Sequence, residues 1–100
     1  MIQETTVVEN QVLVNLNGSI YVEEAAQLRE SLIGHIDKGH KTFIIDLGGV
    51  DYIDSSGLGT LVAIQKRALQ NGGSVVIKGL QGLVKDLFEL TRLDKVFEIQ

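Results

Sequence analysis

Two β-rich runs open the chain, Thr5-Thr6-Val7-Val8 and Val12-Leu13-Val14-Asn15-Leu16. Glu9-Asn10-Gln11 separates them, and asparagine favours turns, so a hairpin is predicted. Asn17-Gly18-Ser19 is expected to close the second strand. From Val22 to about Lys38 the period lengthens: Ala25, Leu28, Leu32 and Ile36 recur at helical spacing, with Ala26 and Ile33 beside them. Glu23 and Glu24 suit the first turn of that helix, Lys38 the last, and Gly39 the position just past its end. Phe43-Ile44-Ile45-Asp46-Leu47 is almost wholly apolar, which predicts a parallel strand covered on both faces. A second helical stripe, Leu58, Leu61, Val62, Ala68 and Leu69, runs to about Gln70 and stops before Asn71-Gly72-Gly73. Val75-Val76-Ile77 predicts a third buried strand. Leu80, Leu83, Val84, Leu87 and Phe88 predict a third helix, and Lys95–Ile99 a short terminal strand. The order β-β-α-β-α-β-α-β implies an α/β domain: a mixed, mostly parallel sheet packed against helices through right-handed crossovers. Its expected core is Val14, Leu16, Ile44, Ile45, Leu47, Leu61, Val62, Val76, Ile77, Leu83 and Leu87.

One stretch departs from this alternation. Asp51-Tyr52-Ile53-Asp54-Ser55-Ser56-Gly57-Leu58-Gly59 joins the apolar strand to the second helix. Asp54 or Ser55 is the expected N-cap, which sets the hydroxyls of Ser55 and Ser56 at the positive end of a helix. Gly57 and Gly59 would let another backbone come close. On the residues alone the stretch is either a capped helix start or a surface recognition site. Two serines exceed what a cap needs, and α/β folds place function at the carboxyl ends of strands.

Composition narrows the chemistry. A chain of 100 residues, 44% hydrophobic, suits one domain over residues 1–100 with a single core. It has no cysteine, hence no disulfide, thiolate metal site or cysteine nucleophile, which agrees with a reducing cytoplasm. No signal peptide is expected from Met1-Ile2-Gln3-Glu4-Thr5, and no apolar run suits membrane insertion. The net charge of −4 speaks against nucleic acid, and Lys66-Arg67 with Lys78 makes no basic patch. No cofactor is expected. Gly59 is followed by Thr60 and Leu61 where a phosphate-binding loop needs lysine, and Asp51 and Asp54 would repel phosphate. Ser56 lacks the G-x-S-x-G frame of a nucleophile elbow, and His35 and His40 are expected at the opposite edge of the sheet. Those histidines, five positions apart, form no metal-ligand pattern. His35 is expected to gain from the helix dipole when protonated, and His40 to lie in a turn.

Ile53-Asp54-Ser55-Ser56-Gly57-Leu58-Gly59-Thr60-Leu61 resembles the phosphorylation motif of bacterial anti-sigma factor antagonists, which have the STAS fold. Leu16-Asn17-Gly18-Ser19-Ile20 is similar to that family's L-x-G-x-[IL] turn, Ile44-Ile45-Asp46-Leu47 to its central strand, and Leu90–Phe97 to its C-terminal signature. The resemblance covers essentially the whole chain. It implies a binder and kinase substrate, not an enzyme. The dephosphorylated protein would hold an anti-sigma factor that is also a serine kinase, phosphorylation of Ser56 would release it, and a phosphatase would reset the switch. Tyr21, Glu23, Asp51, Asp54, Ser55, Ser56, Gly57 and Leu58 are the expected partner-binding residues. Where the family usually carries Asp after its G-x-[IL] turn, this chain has Tyr21, a difference that bears on kinase recognition and not on the fold. The alternative within the family is a constitutive STAS subunit of a lipid-transport or stressosome-type complex.

Overall fold

A computed structural model describes residues 1–100. The strands are β1 (Ile2–Val8), β2 (Gln11–Ile20), β3 (Thr42–Ile53), β4 (Ser74–Lys78) and β5 (Glu98–Ile99); the helices are α1 (Val22–Asp37), α2 (Ser55–Gln70) and α3 (Gly82–Leu90). A single turn of 3₁₀ helix, Leu93–Lys95, precedes β5. One sheet holds all five strands in the order β1-β2-β3-β4-β5. β1 and β2 pair antiparallel through the predicted hairpin, and the remaining pairs are parallel. The α/β element order is as expected.

Sequential strand order has a consequence that the apolar run around Ile45 concealed. Each right-handed crossover moves one strand in the same direction, so α1, α2 and α3 lie on one face of the sheet. β3 is therefore covered on one face, not two. Phe43, Ile45 and Leu47 are buried under the helices, whereas Ile44 and Asp46 are half-buried on the other face. Val12, Val14 and Leu16 of β2 and Val75 and Ile77 of β4 extend the covered face. Leu28, Leu32, Leu61, Ile64, Val84 and Phe88 pack onto it from the helices.

The expected core is corrected at four positions. Ile44, Val62 and Leu87 are half-buried, and Leu83 is exposed. In α3 the inward line is Val84 and Phe88; the apolar stripe is wider than the strip of sheet that this short helix covers. Phe97 closes the core beside Phe88, with ring centroids 6.0 Å apart. The terminal strand is shorter than expected, because the 3₁₀ turn takes Leu93–Lys95.

The two central strands are longer than expected. Gly18 does not end β2 but sits within it at φ +91°, a backbone state glycine takes without a Cβ clash. β3 continues through Gly48 and Gly49 to Ile53. Two register shifts absorb the extra residues of β3, one opposite Asn15–Asn17 and one opposite Gly18–Ser19. Bulges of this kind tolerate residues that read as loop, and they re-aim neighbouring side chains. Asp51 is the unpaired residue of the second bulge, between Val50, which faces Gly18, and Tyr52, which faces Ser19.

Candidate functional site

The parallel ladder of β2 and β3 ends at the rung Ile20–Ile53. From this rung both chains turn directly into helices: Tyr21 is the N-cap residue of α1 and Asp54 that of α2. The Asp54 N–H donates to the Ile20 carbonyl at 3.1 Å, which ties the two helix starts together.

At α2 the cap is made by a side chain. The Gly57 N–H donates to Asp54 Oδ1 at 3.0 Å, and the Leu58 N–H to the Asp54 carbonyl at 3.0 Å. Of the two candidates Asp54 is the cap, and Ser55 begins the helix. Ser55 is exposed and Ser56 half-buried. Their N–H groups precede the first intrahelical bond, so the positive end of α2 opens beside both hydroxyls. At α1 the cap works in reverse. Tyr21 has no short acceptor, and Glu24 instead reaches back to accept from the Tyr21 N–H at 2.9 Å. Glu24 is thus engaged with backbone, while Glu23 beside it is exposed.

Tyr21, Val22, Glu23, Glu24 and Asp54 line one shallow depression. The structure therefore brings together Tyr21 and Glu23 from one helix start and Asp54, Ser55 and Ser56 from the other. Asp51 is exposed at the nearby bulge. Tyr52, which sequence reasoning did not single out, stands against Tyr21 with ring centroids 5.8 Å apart. Nothing local signals that pair, since the rings meet only through the β2–β3 register.

Gly57 and Leu58 differ from the other six. Both are buried. A Cβ on Gly57 would lie 2.5 Å from Ile53 Cγ1 and 2.9 Å from Ile20 Cγ2. The absent side chain lets α2 sit down on the last rung of its own sheet, so the close approach at Gly57 is internal. At Gly59 a Cβ would meet nothing within 4 Å, and this residue is exposed. Gly59 lies one turn beyond Ser55, on the same face of the helix.

The histidines lie elsewhere. His35 is in the last turn of α1, about 20 Å along the helix from the Tyr21 end. Their Nδ1 atoms stand 3.4 Å apart, because Gly39 at φ +95° turns the chain back. Burial, then the neighbouring charges of His40 and Lys38, hold the His35 pKa below its ordinary value. Protonation of His35 is therefore disfavoured, contrary to the gain expected from the helix dipole. No helix is long and apolar enough to cross a membrane.

Comparison with known proteins agrees with the fold. The STAS domain model matches residues 3–100. The anti-sigma-B factor antagonist of Bacillus subtilis is 36% identical over 91 residues, covering 91% of this chain and 83% of that protein. The crystal structure of a candidate anti-sigma factor antagonist from Thermotoga maritima superposes with a TM-score of 0.91 at 26% identity, covering 97% of this chain and 84% of that one. The Bacillus cell fate determinant SpoIIAA in its phosphorylated form shares the fold, with a TM-score of 0.80 at 18% identity over 99% of this chain and 91% of that one. The chain belongs to the STAS domain family, and its relatives there include anti-sigma factor antagonists.

Proposed function

We propose that this protein is a cytoplasmic anti-sigma factor antagonist whose binding is switched by phosphorylation of Ser56. One observation carries the reading. Ser56 lies half-buried in the first turn of α2, the turn capped by Asp54, and Asp54 also borders the depression formed by Tyr21 and Glu23. A phosphate there would gain from the helix end, yet would occupy the surface that a partner has to cover. The relatives' names describe regulators, not enzymes, and one relative of the same fold is known in a phosphorylated form. Ser56 opens α2 beside the start of α1, and the histidine pair lies at the far end of α1, which supports a substrate serine over a nucleophile activated by imidazole.

The unphosphorylated surface binds an anti-sigma factor that is also a serine kinase, and a phosphatase restores it. Glu23, Asp51 and Asp54 make the surface acidic, so basic residues are expected on the partner and association slows with added salt. Tyr21, exposed and backed by Tyr52, serves as the aromatic anchor. Gly57 and Leu58 act from beneath by setting the position of α2. The test is incubation with the partner kinase and ATP, followed by peptide mass spectrometry and a binding assay. The expected result is one phosphoryl group on Ser56, none on a Ser56→Ala variant, and loss of binding on modification. Phosphate on Ser55 instead, or a phosphorylated protein that binds as before, overturns the reading.

A further inference from the structure

The two edges of the sheet are built differently. β5 is two residues long and carries Glu98, and short charged edges make poor templates for another strand. β1 spans seven residues, pairs with β2 in unbroken register, and contains no lysine, proline or bulge. Its only charge is Glu4. Ile2, Val7 and Val8 are 64%, 42% and 48% exposed. Such a strand offers a row of backbone N–H and C=O groups with no neighbour on the outer side.

The sequence of β1 itself indicates what fits there. Laid antiparallel on a second copy about a two-fold axis at Thr5, it sets Ile2 opposite Val8, Gln3 opposite Val7 and Glu4 opposite Thr6. The exposed apolar ends meet each other, and no like charges face. Moving the axis to Glu4 would oppose two carboxylates directly, which is destabilising. Moving it to Thr6 would place Glu4 opposite Val8 and leave Ile2 without a partner. We propose that β1 is a self-pairing edge, through which two copies of this chain join into one continuous antiparallel-seamed sheet with an isologous interface. α2 packs over β3 and β4, away from the seam, so both Ser56 junctions stay open in the pair. The seam consists of backbone bonds and a few side chains, which makes the association weak and concentration-dependent.

Sedimentation of the wild-type protein from low micromolar to near-millimolar concentration, beside T6E and T6K, tests this. Thr6 is exposed, so both variants keep the fold, and thermal melting verifies it. The wild type is expected to shift from monomer to dimer. T6E sets a carboxylate against Glu4 and should weaken the dimer several-fold, while T6K sets an ammonium there and should strengthen it by a similar factor. A protein that stays monomeric throughout overturns the proposal and leaves the edge to a strand from another protein. A dimer that both variants weaken, or that neither affects, places the seam in another register or on another face and overturns it equally.

Discussion

Gly57 and Gly59 are two positions apart in one helix and predict opposite results for the same substitution. Gly57→Ala drives a methyl group into Ile53 and Ile20, two stiff β-branched side chains, and should destabilise the fold by about 1–3 kcal/mol. Gly59→Ala meets no obstacle and replaces a poor helix former, so it should raise stability by up to ~1 kcal/mol. If a partner packs its backbone against the Ser55 face, Gly59→Ala should also weaken binding. Chemical denaturation and a binding assay on the two variants separate these effects. Phosphorylation of Ser56 should leave the melting temperature nearly unchanged. The helix end favours the added charge by about 0.3–1 kcal/mol, and repulsion from Asp54 offsets this. Affinity should nevertheless fall at least about a hundredfold, roughly 2.7 kcal/mol, because the partner would have to desolvate a dianion. Ser56→Asp should reproduce part of that loss, and Ser56→Ala should bind constitutively. The placement of Asp54, Ser55 and Ser56 at the start of a helix was legible in the sequence because capping is local chemistry. The constraint on Gly57 was not, because its contacts include Ile20 from a strand distant in sequence.

At the scale of elements, β3 carries the structure. Ile45 lies between Val14 and Ile77 in the ladder and is fully buried. Truncating it to alanine should cost about 2–5 kcal/mol in a denaturant titration; a cost below about 0.5 would be that of an ordinary surface change. The upper half of β3 was hidden from sequence reading, since Gly48, Gly49 and Asp51 are loop-type residues and only the bulges reconcile them with pairing. α1 ends in a pH-sensitive contact. His35 titrates below its ordinary pKa of 6.5 when folded, so the unfolded chain takes up its proton first as pH falls. Stability should therefore decline as pH drops below about 6.5. Thermal melts of His35→Gln should show that part of the pH dependence removed.

For the whole molecule, the alternation of periods in the sequence was enough to predict the element order and a mixed sheet. Strand order and the one-sided placement of the helices were not, because an apolar run such as Phe43–Leu47 reads alike whether one face or both are covered. Sequential order follows from register, which resides in long-range pairs such as Ile20–Ile53. That rung has a thermodynamic consequence. Tyr21 and Asp54 leave the sheet side by side, and the Asp54 N–H to Ile20 bond ties the two helix starts to each other. If the proposed partner docks there, on backbone already tied together, association should proceed at the speed of diffusional encounter and orientation, without a slow conformational phase. Titration calorimetry should then give a negative heat-capacity change no larger than the apolar area covered accounts for, with none of the excess that marks a segment folding as it binds.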